Sequence, residues 1–204
     1  MTILKYVIIA AAAYFIGTIQ NGIWVARAFG VADIRKLGSG GTGATNVLRN
    51  LGLKASEITF FLDALKGAIS ALIGLWLMGQ NGACLGGVCA VIGHIWPVFY
   101  NFKGGKGVAS SAGALFVISP IVALIGIPLS LVFIAIFRIV SVVSISMTFT
   151  LVTIVNILTW GNWMQIILTS MFFILVAYSH RENIKRLING TEKKIEFKRS
   201  PKRK

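Results

Sequence analysis

Residues 121–137 read IVALIGIPLSLVFIAIF, seventeen residues without a charged side chain. A helix needs about 17 to 20 such residues to cross the hydrocarbon core of a bilayer. The chain of 204 residues is 56% hydrophobic and only 13% charged, whereas soluble proteins carry about a quarter charged residues. The sequence therefore predicts an all-α membrane protein. Six further apolar segments lie at about 4–26, 55–79, 82–102, 108–119, 139–160 and 163–179.

The basic residues predict how these segments are oriented. Lysine and arginine number 20 against 6 acidic residues, a net charge of +14, and ten of them lie in the segment 181–204. Because cytoplasmic loops are enriched in lysine and arginine, we expect this segment inside the cell. Seven crossings with the N-terminus outside then place eighteen of the twenty basic residues inside. We predict a seven-transmembrane-helix bundle, with a single integral-membrane domain over 1–180 and a basic cytoplasmic C-terminal segment over 181–204.

Two other readings of the apolar segments stay open. Merging 108–119 with 121–137 into one kinked helix would move two basic loops to the outside, and whether 108–119 crosses fully is undecided. Residues 1–28 superficially match a cleaved signal peptide. The length of this apolar stretch, with the polar Gln20 and Asn21 inside it, favours a retained helix.

Composition argues against several classes of protein. Nucleic-acid binding needs a charged soluble surface, which the long apolar runs do not leave. Both cysteines, Cys84 and Cys89, lie inside an apolar run and indicate buried side chains rather than a disulfide scaffold. Because the chain holds only six acidic residues, a site of clustered carboxylates and metal is poorly supported. We predict neither a metal nor a cofactor.

The first polar motif is GSGGTGATNVLR at 38–49. Its small residues allow backbone N–H groups to converge on an anion, and Thr45 or Asn46 is suited to cap a following helix. Arg49 would add a forked cation that matches phosphate. A flexible linker is the alternative, but Asn46 and Arg49 favour phosphate binding.

The second motif is GHIWPVFYNFKGGKG at 93–107, between two apolar segments. The run from Lys103 to Gly107 has the composition of another anion nest, placed directly before a helix. A positively charged turn would satisfy the positive-inside rule but would not need three glycines. His94, a lone histidine at a membrane boundary, is more typical of a structural residue than of a catalyst.

Two further clusters allow two interpretations each. Asp63 and Lys66, three residues apart within an apolar segment, form either a self-neutralising pair or a substrate site. His180 and Asn183 share a helix face at the last membrane boundary, where the histidine could be structural or catalytic. The remaining tail, 193–204, is typical of a segment that faces lipid headgroups.

These motifs together resemble the PlsY family. The resemblance rests on GSG with GATN and Arg49, on the run from Gly93 to Ala109, and on HRENIKRL at 180–187 with Glu192. It implies an integral enzyme of the bacterial cytoplasmic (inner) membrane that transfers a fatty acyl group from acyl phosphate to glycerol 3-phosphate. The product would be lysophosphatidate for phospholipid synthesis, made on the cytoplasmic side. One departure is Gly41-Thr42, where the family usually has Asn-Pro.

The resemblance and the two nests together predict the site residues. Glu192 is expected to be structural, and the sequence leaves acyl-chain preference and oligomeric state open. The expected catalytic residues are Ser39, Arg49, Lys106, His180 and Asn183. The expected substrate-binding residues are Gly38, Gly40, Gly43, Thr45, Asn46, Lys66, Lys103, Gly104, Gly105 and Gly107.

An acyl phosphate is an activated mixed anhydride, so this chemistry requires no covalent enzyme intermediate. The protein has to align two anions and stabilise charge on the leaving phosphate. Either His180 or a substrate phosphate could take the hydroxyl proton. A transporter of phosphate esters or other anions is the main alternative function, although the connections predicted outside are uncharged. A non-catalytic scaffold is the third.

Overall fold

The computed structural model describes residues 2–195, and over this range the chain is helical with no β-strand. Short 3₁₀ turns occur at Ile34–Lys36 and Val98–Tyr100. The α-helices are α1 (Thr2–Gly17), α2 (Asn21–Ala28), α3 (Ala44–Leu51), α4 (Leu53–Ile95), α5 (Val108–Ile118), α6 (Pro120–Phe137), α7 (Val140–Leu158), α8 (Trp163–Ser179) and α9 (Arg181–Ile188).

Helix α4 is a hairpin of two arms rather than one rod. Met78 has φ −143° and Gly79 has φ +62°, so the helix breaks there and the chain reverses. A Cβ on Gly74 would lie 1.9 Å from the carbonyl oxygen of Gly82, and one on Gly86 would lie 2.2 Å from that of Ser70. The two arms, 53–77 and 80–95, correspond to the segments predicted at 55–79 and 82–102.

Small residues also bring neighbouring helices to α4. A Cβ on Gly17 of α1 would lie 2.2 Å from the oxygen of Ala90, and one on Gly113 of α5 would lie 1.8 Å from that of Ala64. Glycine at these positions lets the helix backbones come into contact. Helices in a bilayer associate through such close packing, because lipid is as apolar as their side chains and the hydrophobic effect does not drive them together. The two α4 arms therefore form the centre of the bundle, between α1 and α5.

Within residues 2–195, four helical segments are long and apolar enough to cross a membrane, and a fifth results if α8 and α9 form one span bent by 56°. The prediction of a helical membrane protein is thus confirmed at this coarser level. Helix α5 has 11 residues and is about 16 Å long, roughly half of a bilayer core. The predicted apolar segment 4–26 is broken at Thr18–Gln20, between α1 and α2.

The loops that carry the polar motifs meet at one end of the bundle. Arg49 donates to the carbonyl oxygen of Lys193 over 3.2 Å, Lys106 donates to Asn183, and the amide of Ile195 donates to the oxygen of Arg138 over 2.7 Å. Of the segment predicted as a separate basic tail, 181–195 is therefore attached to the bundle. Residues 196–204 lie outside the described part of the chain.

Candidate active site

The centre of the polar end is a chain of hydrogen bonds that starts at Lys106. Lys106 lies just before α5, and its ammonium donates to Oδ1 of Asn183 in the first turn of α9. Nδ2 of Asn183 in turn donates to Oε1 of Glu192 over 2.6 Å. Two predicted catalytic residues, 77 positions apart, are thus brought into direct contact.

Glu192 connects two helices, α7 and α9, around this pair. Its carboxylate accepts from Ser141 of α7 over 2.9 Å and from Nε of Arg186 over 2.7 Å, in addition to Asn183. Burial acts to raise the pKa of the Glu192 carboxyl, but the hydrogen bonds from Asn183, Arg186 and Ser141 outweigh it and hold the pKa below its usual value. The expectation that Glu192 is structural agrees with these contacts.

Arg49 supplies a second cation at this end. Its NH2 group donates to the oxygen of Lys193, while its Nε is buried without a hydrogen-bond partner among residues 2–195. Burial lowers the pKa of Lys106 to about 8, against the pull of Glu192 and with further lowering by Arg186 and Arg49. Arg49, Arg186 and Glu192 therefore all lie close enough to Lys106 to act on its charge, so three cations stand against one carboxylate here. This excess of positive charge favours an incoming anion.

His180 stands at the junction of α8 and α9 and is 2% exposed. Its Nδ1 lies 2.7 Å from the carbonyl oxygen of Val176, which only accepts, so Nδ1 carries a proton. In the neutral ring Nε2 is then the basic nitrogen. The preceding Ser179 donates to the carbonyl oxygen of Lys106 over 2.9 Å and holds His180 beside that loop.

The side chain of Asn46 holds the first glycine loop through hydrogen bonds to its backbone. Its Oδ1 accepts from the amide of Ser39 over 2.9 Å, and its Nδ2 donates to the oxygens of Leu37 and Gly41 over 3.0 and 2.8 Å. Asn46 is 3% exposed, so these polar atoms serve the loop rather than an anion. Ser39 itself is exposed on the loop surface.

The cap of α3 differs from the prediction. Gly43 is the N-cap, and Thr45 and Asn46 lie within the first turn, so neither caps the helix. Gly38 and Gly40 have φ of +57° and +73°, conformations that favour glycine. At the departure from the family pattern, Thr42 is buried and donates to Oε1 of Gln20.

The second glycine loop is attached to the end of α4. The amide of Gly104 donates to the oxygen of Ile95 over 3.2 Å, and that of Gly105 to the oxygen of His94 over 3.1 Å. These two N–H groups, predicted as phosphate donors, are engaged in this structure. Gly107, with φ +79°, caps α5, whose first-turn amides face the same end.

Two predicted substrate-binding lysines make no hydrogen bond to this group of residues within the described chain. Lys103 is exposed, and Lys66 is buried among protein partners. Sequence reasoning missed three contributors: Arg186, Ser141 and Ser179. The position of Arg186 within the HRENIKRL run at 180–187 was a signal for it. Ser141 and Ser179 reach the site only through packing of α7 and α8.

The fold and the site together define a helical integral-membrane protein with a cluster of cationic side chains at one end of the bundle. More narrowly, the chain belongs to the glycerol-3-phosphate acyltransferase family, whose sequence pattern matches residues 7–190. It is an integral-membrane acyltransferase of phospholipid biosynthesis, which confirms the predicted enzyme class and sets aside the transporter and scaffold alternatives.

Relatives and solved structures of this family resemble the chain over nearly its whole length. A glycerol-3-phosphate acyltransferase of Thermoanaerobacter pseudethanolicus is 43% identical over 189 residues, which cover 93% of this chain and 95% of the relative. One of Listeria monocytogenes is 36% identical over 200 residues, 97% of this chain and all of the relative. The crystal structure of PlsY, an integral membrane glycerol 3-phosphate acyltransferase, in its glycerol 3-phosphate form matches with TM-score 0.86 and 38% identity, covering 94% and 96% of the two chains. Its lysophosphatidic acid form matches with TM-score 0.84 and 37% identity over the same shares.

Proposed function

We propose that this acyltransferase moves a fatty acyl group from acyl phosphate to glycerol 3-phosphate and releases lysophosphatidate and inorganic phosphate. The observation that carries the proposal is the contact between Lys106 and Asn183. At the same end, the Nε of Arg49 is buried and has no hydrogen-bond partner among residues 2–195. The related PlsY structures in glycerol 3-phosphate and lysophosphatidic acid forms support the acceptor and the product.

The cations explain how two mutually repelling substrates are aligned. At pH 7 a lysine with pKa about 8 is largely protonated, so Lys106 binds a phosphate as a point charge. Arg49 offers a forked partner to phosphate oxygens, and first-turn amides of α5 add donors. These groups stabilise charge as the acyl–oxygen bond of the anhydride breaks and the phosphate leaves.

The acceptor hydroxyl has to lose a proton as it attacks the acyl carbonyl carbon. The departing phosphate can take this proton directly, and we favour it as the base. Nε2 of His180 is the alternative, because the Nδ1 proton is held by Val176. A His180→Ala variant whose activity above pH 8 stays near that of the wild type would show that His180 is not an obligatory base.

A lipophilic donor is supported by a cavity that begins beside the phosphate end. The cavity has a volume of about 90 Å³ and is lined by mainly apolar side chains of α5, α6, α7 and α8, among them Val108, Leu115 and Phe172. Val108 is two residues from Lys106. An acyl chain lying here would leave its phosphate at the cationic centre.

We further propose seven crossings, with the N-terminus outside and the site facing the cytoplasm of a bacterial inner membrane. In this topology even the short helix α5 brings Ser119 to the outer side. The meeting of the basic loops at one end supports this topology, since an odd number of crossings separates the two termini. Cysteine labelling at Ser119, between α5 and α6, tests it from the outer face. Protection of that position from an impermeant reagent would contradict a full crossing.

The donor is tested with purified protein in detergent. Palmitoyl phosphate and glycerol 3-phosphate are expected to give lysophosphatidate, whereas palmitoyl-CoA is expected to give none. Lys106→Met should abolish the reaction, and Lys54→Met, which removes an exposed cation at the same end, should not. Product formation from palmitoyl-CoA but not from palmitoyl phosphate would overturn the proposed donor.

A further inference from the structure

Asp63 and Lys66 form a buried ion pair whose partners lie on other parts of the chain. Oδ1 of Asp63 lies 3.1 Å from Nζ of Lys66 and accepts from Nδ2 of Asn21 over 3.0 Å. The two charged side chains are 1% and 4% exposed. Burying such groups is costly unless each is fully paired, so the network has to be satisfied throughout.

The ammonium of Lys66 has three acceptors for its three N–H bonds. Besides Asp63, it donates to the carbonyl oxygen of Ile19, at the break between α1 and α2, and lies 2.7 Å from Nδ1 of His94. Because the ammonium only donates, Nδ1 accepts and the proton of the neutral ring lies on Nε2. One lysine thus fixes both the plane and the tautomer of His94.

The other edge of the His94 ring supports the second glycine loop. A Cβ on Gly105 would lie 2.1 Å from Nε2 of His94 and 2.9 Å from Cε1, and its three nearest atoms all belong to this ring. The backbone of Gly105 therefore rests directly on the imidazole. The amides of Gly104 and Gly105 hold the loop there through the oxygens of Ile95 and His94.

We propose that Asp63 and Lys66 position the ring of His94. Contact with this ring fixes the position of the Gly105 backbone, and thereby the position of Lys106 in the same loop. Asp63, Lys66 and His94 would then be positioning residues that touch no substrate. The proposal rests on the proposed function only in that Lys106 binds substrate phosphate. A loop displaced by about 1 Å is expected to lower activity by about 10²-fold.

Gly105 and His94 allow a test by compensating changes in size. Gly105→Ala should force the loop off the ring and lower kcat/KM by about 10²-fold, while His94→Ala should cost less. The double variant should regain at least tenfold over Gly105→Ala, because removal of the ring makes room for the new methyl group. A double variant no more active than Gly105→Ala would overturn the proposal, as would a fully active Gly105→Ala.

Lys66→Met distinguishes a positioning role of the network from a role in stability alone. Its kcat is measured per molecule that elutes as folded protein in detergent. A positioning role predicts a fall in kcat of at least tenfold in the folded fraction. A lower Tm with unchanged kcat would show that the pair only fastens α1 to α4. Lys106→Met distinguishes the two proposals. If this variant stays active, the proposed phosphate site is wrong. If it is inactive, the activity of the Gly105→Ala and His94→Ala double variant decides whether His94 positions the loop.

Discussion

Asn183 of α9 accepts a hydrogen bond from Lys106 and donates one to Glu192, so a single side-chain amide lies between the cation and the carboxylate of the site. The amide keeps the two charges from forming a direct ion pair. A Lys106 that was neutralised by Glu192 would have less charge to offer a phosphate. This spacing explains why the centre remains cationic although a glutamate lies within it.

Replacing Asn183 with Asp should therefore inactivate the enzyme. The new carboxylate would pair with Lys106 and stand opposite Glu192, so that KM for glycerol 3-phosphate rises and kcat/KM falls by about 10²–10³-fold. Steady-state kinetics in detergent measures both constants. Asn189→Asp, at an exposed position just after the same helix, is the matched control and should change kcat/KM by less than about twofold.

The pH dependence of acceptor binding should report the lowered pKa of Lys106. Lysine binds phosphate in its protonated form, so kcat/KM for glycerol 3-phosphate should fall as the pH rises through about 8. Lys106→Arg stays charged over this range and should lose the alkaline fall. An identical fall in the arginine variant would assign it to another group.

Glu192 should contribute to stability more than an exposed glutamate does. Glu192→Gln weakens the bond to Arg186 and removes a carboxylate that acts on Lys106, so Tm in detergent should fall by about 2–10 °C. Glu182→Gln breaks a pair whose side chains are 70% and 59% exposed and should leave Tm nearly unchanged. Equal Tm changes in the two variants would contradict the role given to Glu192.

The same carboxylate predicts acid sensitivity. Because its pKa is lower in the folded protein than in the unfolded chain, its contribution is present above the unfolded value and is lost as the pH falls through the folded one. The Tm difference between wild type and Glu192→Gln should therefore shrink below about pH 4.5, the ordinary value of this group. Thermal unfolding at pH 4 and pH 7 measures it.

Asn46 should be required for the shape of the first glycine loop. Asn46→Asp keeps the acceptor for Ser39 but turns a carboxylate towards the carbonyls of Leu37 and Gly41, so activity should fall by at least about tenfold. Asn50→Asp, which loses its own donation to Asn46, should cost less. An Asn46→Asp enzyme with wild-type kinetics would exclude this role.

Sequence alone predicted most of the membrane segments and the residues that meet at the site. Apolar runs indicate helices because the bilayer leaves few alternatives, and Lys106, His180 and Asn183 lie in motifs that stand out in so apolar a chain. The roles of Asn46, Gly104 and Gly105 were not predictable in this way. A glycine that opens a nest for an anion and one that packs on a neighbouring ring have the same sequence signal.

The contact of Lys66 with His94 could not be predicted from the sequence either. Asp63 lies one turn away, and the pairing was visible in the spacing, but His94 is 28 residues further along and depends on the reversal of α4 at Gly79. The sequence allowed Asp63 and Lys66 to be either an ion pair or a substrate site. The choice between these two depends on the hairpin, which places His94 against Lys66. Long-range contacts of this kind follow from packing rather than from local pattern.

The bond between Ile195 and Arg138 has a consequence for how the enzyme is made. The residues around Glu192 complete the site only after α6, α7 and α8 have been synthesised, so a chain that stops before Glu192 lacks a finished centre. We therefore expect a chain truncated before α9 to show no acyl transfer. In expression work, a fusion partner placed directly after Ile195 is expected to disturb this closing contact.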